Sequence, residues 1–304
     1  MDAVPRAVRA LELVCLTFVG LGMSLPFVYP LAVFAPHRDA LAAYTMDASS
    51  ADASPALTYC LGMTGGSIAG KWLAHWAVVR FGLRSGHRWA WDATVHGLLG
   101  WLVLDSASSL LHGAWANVVM INVLPPLLVV PLLAATRPRT EARVADAPRS
   151  ADAPRSAPAR AALAASIAGM GSGIVIALLG DTALFAPLHA AWGEAHFGGE
   201  LPSGGHALLR FFLGPIGGST LGQFISVFAL VRHAPTIDER RAIGWALASV
   251  LLWFLFDSGV SLASGATFNV WMVNVPAVVV TAGPLAWAWS AAPPSSPIGS
   301  EVGG

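Results

Sequence analysis

The feature that most constrains this chain is a series of apolar segments, each about 20 residues long and carrying few charges. An α-helix needs about 20 such residues to cross the hydrocarbon core of a bilayer. Eight segments have this character, and they predict an all-α, polytopic transmembrane helical bundle. Their ranges are 11–34, 57–79, 89–111, 114–135, 161–187, 207–231, 242–263 and 266–289.

The composition excludes several classes of protein. Hydrophobic residues make up 55% of the chain and charged residues 11%, whereas a soluble domain carries about 25% charged residues. An ordinary soluble enzyme or a nucleic-acid-binding protein needs a charged surface, and a disordered chain needs few apolar residues. The lipid bilayer is therefore the predicted partner, and no nucleic acid is expected.

An internal repeat divides the chain into two halves. Residues 61–128 match residues 213–280 without a gap, with 24 identities in 68 positions. With one gap the match extends back to Phe34-Ala35-Pro36 and Phe185-Ala186-Pro187. The repeat predicts a four-helix unit over 1–135, a flexible Pro/Ala/Arg linker over 136–160, a second four-helix unit over 161–290 and a disordered tail over 291–304.

Charge placement predicts the orientation in the membrane. A unit with an even number of spans enters the membrane the same way up each time, so the two repeats should be parallel. Fourteen basic residues fall on the side of the N-terminus, while Arg38 and Arg210 fall on the other side and Lys71 lies within a span. Because cytoplasmic loops are rich in Lys and Arg, both termini should be cytoplasmic. Sixteen arginines against one lysine, with abundant alanine, are typical of a GC-rich bacterial source, so the expected location is a bacterial inner membrane.

Both halves carry the same polar residues inside their third and fourth spans. Two interpretations fit this repeated set. It is a hydrogen-bonded clamp that closes the hairpin between these spans, or it is a pair of equivalent carboxylate sites that bind a cation or a proton. The candidate binding residues are Asp105, Asn117 and Asn122 in the first half and Asp257, Asn269 and Asn274 in the second, with Ser109 and Ser261 beside the carboxylates.

A second polar set occurs only in the first half. Its members are expected to lie at similar depth in the cytoplasmic half of the bilayer, where they would form one buried network suited to a proton relay or an anion site. The alternative is a neutralising ion pair of Lys71 with Asp92 or Glu12, with imidazoles filling space. The set comprises Glu12, Lys71, His75, Asp92 and His96, and the second half has Gln223, Val227, Gly244 and Ala248 at the positions of the last four.

Other motifs favour structural roles. The glycines Gly62, Gly65, Gly66 and Gly70 lack the strand and the βαβ unit of a dinucleotide site, so they predict close helix packing. The outer histidines and acids (His189, Glu194, His196 and His206) match no defined metal site and indicate a solvated loop. Asp181 is expected to pair with Arg210, and Cys15 is expected to be too far from Cys60 for a disulfide. We expect no metal and no cofactor.

The motif that runs from Trp253 through Asp257-Ser258, Ser261-Leu262, Gly265, Asn269-Val270 and Asn274 resembles the third and fourth helices of small bacterial four-helix membrane proteins. The resemblance covers about 70 residues of each half, and the chain departs from that group in being duplicated. The group has no assigned activity, so the resemblance implies an architecture and no chemistry.

Two function classes remain from the sequence. The first is a small-molecule or ion transporter, with proton coupling at the buried polar residues. The second is a membrane scaffold or accessory subunit whose polar residues are structural and which binds a protein partner or further copies of itself. A membrane enzyme is the less favoured class, because the chain contains neither HExxH nor GxSxG.

Overall fold

The computed structural model describes residues 3–45, 55–137 and 156–294 and is all-α over these ranges. Its longer helices alternate with short connections. In chain order they are α1 (Ala3–Val28), α2 (Ala35–Thr45), α3 (Pro55–Ala77), α4 (Arg88–Leu111), α5 (Leu124–Thr136), α6 (Ala157–Leu179), α7 (Ala186–Phe197), α8 (Ser203–His233), α9 (Glu239–Ala263) and α10 (Val275–Ala291).

Five helical segments are long and apolar enough to cross a membrane: Pro5–Val28, Ala157–Leu179, Ser203–Thr236, Glu239–Ala263 and Thr267–Ala291. The chain is therefore a helical protein with the character of a multi-pass membrane protein. Helices α3 and α4 are long enough but less apolar. Because α3 is almost wholly covered by other helices, its side chains face protein, and it can carry polar residues that a lipid-facing helix could not.

The fourth predicted span of each half is an interrupted helix. After α4 and α9, Gly113 and Gly265 adopt left-handed backbone angles with φ of +75° and +82°, which a residue with a Cβ rarely adopts. The chain then forms the π-helical segments Asn117–Ile121 and Val270–Asn274 before α5 and α10 begin. The glycines lie in the turns that follow α4 and α9, and Asn122 and Asn274 lie at the ends of the two π-helical segments.

Two short helices have no counterpart among the predicted spans. The predicted spans 11–34 and 161–187 each end in a short 3-10 turn, and α2 and α7 follow these turns. Helix α2 packs against α8, and α7 packs against the turn that contains Asn269. Their sequences are too short and too polar to give a membrane signal, so hydropathy alone does not separate them from loops.

Helices α3 and α8 form the centre of the molecule. Helix α3 packs against α1, α8 and α9, and α8 packs against α3, α4 and α6. The second long helix of each half thus contacts the third long helix of the other half. The two halves interlock rather than lying side by side as separate bundles.

Paired glycines allow the helices of the two halves to approach each other closely, which confirms the packing role predicted for the glycine motif. Gly65 abuts Gly22 of α1, whereas Gly66 faces the opposite partner, with a Cβ at that position 3.3 Å from Cβ of Asp257 on α9. In the second half, Gly218 approaches Asp105 of α4 in the same way, at 2.9 Å. Each half therefore places its glycine motif on the Trp-and-Asp motif of the other half.

Three helix termini lie near the boundaries predicted from the repeat. Helix α5 ends at Thr136 and α6 begins at Ala157, slightly inside the predicted linker. The duplicated ADAPRS motif and most of the predicted tail lie outside the described residues. Helix α10 ends at Ala291, where the tail is predicted to begin.

Candidate functional site

Lys71 is the central feature of the polar interior. It lies in the middle of α3 and is 1% exposed. Its Nζ atom lies 3.6 Å from the centroid of the Trp101 ring on α4 and 4.6 Å from that of Trp72. Among the described residues it forms no ion pair closer than 4 Å. Two aromatic rings therefore hold this ammonium group through their negative faces.

Asp105 is the carboxylate that acts electrostatically on Lys71. It lies one turn after Trp101 on the same face of α4 and is buried. Its Oδ1 atom accepts a 3.1 Å hydrogen bond from Ser109, whereas its Oδ2 atom accepts none within the part of the chain that the structure describes. A buried carboxylate oxygen without a donor is costly, so this atom is the clearest candidate for taking up a proton.

Glycines leave space for both groups. A Cβ at Gly222 of α8 would lie 3.1 Å from Cδ of Lys71, and one at Gly214 would lie 3.0 Å from Oδ1 of Asp105. The site therefore lies at the junction of α3, α4 and α8, where both halves contribute.

His75 extends the site one turn along α3. Its Nδ1 atom lies 3.0 Å from the carbonyl oxygen of Lys71 and 3.1 Å from Oγ of Ser226 on α8. Its Nε2 atom is buried without a partner among the described residues and faces Gly97. When the Nδ1–H group of neutral His75 donates to this carbonyl oxygen, Nε2 carries no proton and is an acceptor. Lys71 and His75 thus lie together, as the sequence predicts.

The other three members of the predicted network lie elsewhere, which is a correction to that expectation. Glu12 interacts with Arg80 at 3.5 Å and with Arg84 at 3.8 Å, in the N-terminal half of α1. Asp92 is 41% exposed and lies 3.7 Å from Arg88, one turn earlier on α4.

His96 is exposed on the outer surface of α4. The reason for these positions is that α3 and α4 do not pack along each other. Since α8 lies against α4, the face of α4 that carries Asp92 and His96 never reaches Lys71. The ion pairs considered for Lys71, with Asp92 or with Glu12, are likewise not formed.

The repeated polar set forms the expected clamp in the second half. Asn269 donates from Nδ2 to Oδ1 of Asp257 at 2.8 Å and lies 2.9 Å from Oγ of Ser261. Ser261 also donates to the same carboxylate oxygen at 3.0 Å. This arrangement closes the hairpin between α9 and α10 and gives Oδ1 of Asp257 two donors. Its geometry matches the structural interpretation of the motif.

The first half differs at one residue of the clamp. Asn117 donates from Nδ2 to the carbonyl oxygen of Phe211 at 2.6 Å, and its Oδ1 atom lies 3.1 Å from Nε2 of His37. It therefore gives no hydrogen bond to Asp105. The same motif therefore gives its aspartate different hydrogen-bond partners in the two halves.

The last asparagine of the motif acts alike in both halves. Asn122 donates to Oγ of Ser106 at 3.2 Å, and Asn274 donates to Oγ of Ser258 at 3.1 Å. Each bond ties the end of a π-helical segment to the preceding long helix. Both asparagines are buried, so these bonds stabilise the interrupted fourth span.

The remaining predictions concern the outer loops and the cysteines. Asp181 pairs with Arg210, as predicted, and also with His206 at 3.2 Å. Cys15 and Cys60 are buried free thiols, in agreement with the prediction. Across the described ranges, no three His, Cys, Asp or Glu side chains are arranged to hold a metal ion.

Two residues of the site are not predicted from the sequence. In the sequence, Trp101 is noted only because the repeat conserves it as Trp253. Its position four residues before Asp105 is the one pattern that could have indicated that both side chains lie on the same helix face. From the sequence, His37 is one of several polar residues expected in the outer loops, whereas the structure places it on α2. It has no counterpart in the second half, and no local pattern places it beside Asn117, which is 80 residues away.

Comparisons with protein-family models, curated proteins and solved structures found no match to this chain.

Proposed function

We propose that this chain is an ion or small-molecule transporter of the bacterial inner membrane that takes up and releases protons at Lys71 and Asp105. The observation that carries the proposal is a buried ammonium group with Asp105 as its electrostatic neighbour, a carboxylate whose Oδ2 atom has no hydrogen-bond donor among the described residues. Charged groups inside a membrane protein are costly and typically mark ion pathways and proton relays.

The chain's own second half supports this assignment. Gln223 takes the position of Lys71 there and donates from Nε2 to the carbonyl oxygen of Ser249 at 3.1 Å. The position in the second half that matches Lys71 is therefore occupied by a neutral side chain whose amide is hydrogen-bonded. A charge at Lys71 is not required by the architecture, which favours a functional reason for it.

The proposal includes a topology. The long helices and the interrupted helices together give eight spans, arranged as two parallel four-helix repeats derived by duplication from a small bacterial four-helix membrane protein. Both termini are cytoplasmic, and the arginine-rich ends of α3 and α8 face the same side. A reporter fused after the last residue, active only in the cytoplasm, tests this orientation directly.

Proton flux tests the proposed activity. The purified chain is reconstituted in liposomes that contain a pH-sensitive dye, and the rate of internal acidification is followed after a pH step with the membrane potential clamped. The wild-type chain is expected to raise this rate above that of empty liposomes, and Asp105→Asn is expected to abolish the increase. A rate in wild-type liposomes equal to that of empty liposomes contradicts proton movement.

The second half supplies matched controls. Asp257→Asn alters the equivalent carboxylate, which is held in a clamp, and is expected to retain flux. Lys71→Gln introduces the residue found at Gln223, so the helix should tolerate it while flux is lost. Equal loss in Asp105→Asn and Asp257→Asn would instead indicate that both carboxylates act only in folding.

The alternative is a membrane scaffold or accessory subunit that binds a protein partner or further copies of itself. The satisfied clamp around Asp257 favours it, because this part of the repeated motif is explained by packing alone. In that case the wild-type chain, Asp105→Asn and Asp257→Asn would all give the same proton flux as empty liposomes.

A further inference from the structure

A chain of side-chain contacts at the outer end of the first half holds Asn117 away from Asp105. The hydroxyl of Tyr29 lies 2.9 Å from Nδ1 of His37, and Nε2 of His37 lies 3.1 Å from Oδ1 of Asn117. The amide nitrogen of Asn117 is bound to the carbonyl oxygen of Phe211. Both ends of the Asn117 side chain are therefore engaged, and all three side chains are buried.

The second half lacks this chain of contacts. With the one-gap match, Gly180 and Leu188 correspond to Tyr29 and His37. The structure supports the correspondence, because Arg38 donates to the carbonyl oxygen of Tyr29 while His189, at the matching position, lies 2.8 Å from that of Gly180. With leucine in place of histidine, the position on α7 that matches His37 offers Asn269 no hydrogen bond.

The two aspartates differ in the hydrogen bonds that they accept. Asp257 accepts hydrogen bonds from Asn269 and Ser261, both at Oδ1, whereas within the described part of the chain Asp105 accepts one, from Ser109. The other polar neighbours correspond in the two halves, since Asn122 and Trp101 face Asp105 as Asn274 and Trp253 face Asp257. The position of the first asparagine is thus the main difference between the hydrogen-bonding environments of the two groups.

We propose that His37 is a positioning residue that keeps Asn117 off Asp105, so that this carboxylate accepts one hydrogen bond fewer than Asp257 and binds a proton more readily. This inference rests on the proposed function, because it accounts for a proton site in only one of the two repeats. A carboxylate that accepts an additional N–H bond holds its charged form more strongly. Releasing Asn117 would therefore turn the first site into a copy of the second.

The groups that face Asp105 come from three helices and from the end of the π-helical segment. Helix α3 contributes Lys71, α8 contributes Gly214 and Gly218, α4 itself contributes Trp101 and Ser109, and Asn122 follows the π-helical segment. Lys71 is the charged neighbour among the described residues. Because the side chain of His37 contacts Tyr29, Asn117 and Phe211, an effect of His37 on Asp105 is expected to act through Asn117.

Infrared spectroscopy of the full-length protein tests the inference without any transport assay. The carbonyl stretch of protonated Asp105 is identified by its absence in Asp105→Asn and is followed from about pH 4 to about pH 9, a range that spans the ordinary and raised values of carboxyl groups. His37→Leu introduces the residue of the second half. We expect the pH at which Asp105 is half-protonated to fall by about one unit or more, because a charge-assisted hydrogen bond is gained.

Three further variants make the test specific. Asn117→Ala added to His37→Leu removes the released amide, so the midpoint should return to the wild-type value. His37→Gln keeps a donor toward Asn117 and should leave the midpoint unchanged, and His37→Ala replaces His37→Leu if the leucine variant does not fold. The equivalent band of Asp257 should stay constant in all of these proteins.

Several results would overturn the inference. One is an unchanged Asp105 band in folded His37→Leu, and another is a shift that Asn117→Ala does not reverse. A third is the absence of any Asp105 protonation band in the wild type. If the midpoint shifts as expected but proton flux is absent in wild-type liposomes, the proposed transport fails while the positioning role of His37 stands.

Discussion

The Nζ atom of Lys71 lies 3.6 Å from the centre of the Trp101 ring, with the carboxylate of Asp105 one helical turn beyond the ring. An indole face attracts a cation, but it supplies less stabilisation than a hydrogen-bonded carboxylate. The ammonium group is thus held in the interior without being fully neutralised.

This relationship predicts opposite effects for two substitutions. Lys71→Gln should raise the free energy of unfolding by about 1–4 kcal/mol, because it removes a buried charge that is not paired. Trp101→Leu should lower it by about 2 kcal/mol or more, because the ammonium loses its aromatic partner. Denaturant titration in detergent micelles measures both, and a destabilised Lys71→Gln would show that the ammonium contributes to folding.

The glycine contacts predict a contrast between two alanine substitutions. Gly65→Ala should destabilise the fold by about 1–3 kcal/mol, because its Cβ would collide with the backbone of Gly22. Gly20→Ala is the control on α1, where a Cβ meets nothing within 4 Å, and helix propensity should make it neutral or slightly stabilising. Melting temperatures in one detergent compare the two, and equal values would rule out close packing at Gly65.

The interlocking of the halves predicts that the covalent linker is dispensable once the protein has folded. A protease site inserted within 138–155, outside the described residues, can be cleaved in the purified protein. Because α3 packs against α9 and α4 packs against α8, the fragments should co-elute in a mild detergent and separate only on denaturation. Separation under mild conditions would show that the linker, rather than these contacts, holds the halves together.

His37 predicts a pH dependence of stability. Burial lowers the pKa of His37 below its ordinary value of 6.5, although the bond to Asn117 opposes this shift. The unfolded chain therefore binds a proton below about pH 6.5 that the folded chain takes up only at lower pH. Stability is complete above that pH and falls on acidification.

The size of this effect is measurable by difference. The loss due to His37 is at most about 1.4 kcal/mol per pH unit, and His37→Leu should lack this contribution. Unfolding of both proteins is compared at about pH 7.5 and about pH 5, on either side of the ordinary histidine pKa, so that the other histidines cancel. A pH dependence that is identical in the two proteins would contradict a buried neutral His37.

The sequence by itself determined the helical class, the apolar segments and the duplicated motifs. These follow from local properties, namely hydropathy over about 20 residues and identity between matched positions. It also indicated that Lys71 and His75 lie on one helix face, since a spacing of four residues fixes this. The pairing of Asp181 with Arg210 was accessible for a related reason, because their charges lie at adjacent span ends.

Only the tertiary structure decided which polar groups meet. If adjacent spans packed together, Asp92 would lie beside Lys71. Instead, α8 lies against α4, and Lys71 reaches Trp101 and the neighbourhood of Asp105. Likewise, Asn117 and Asn269 occupy matching positions of the repeat. His37, which is 80 residues from Asn117 in the chain, forms a hydrogen bond with Asn117, and no histidine occupies the matching position beside Asn269. Side-chain partners across helices depend on how those helices cross and pack, which no local pattern encodes.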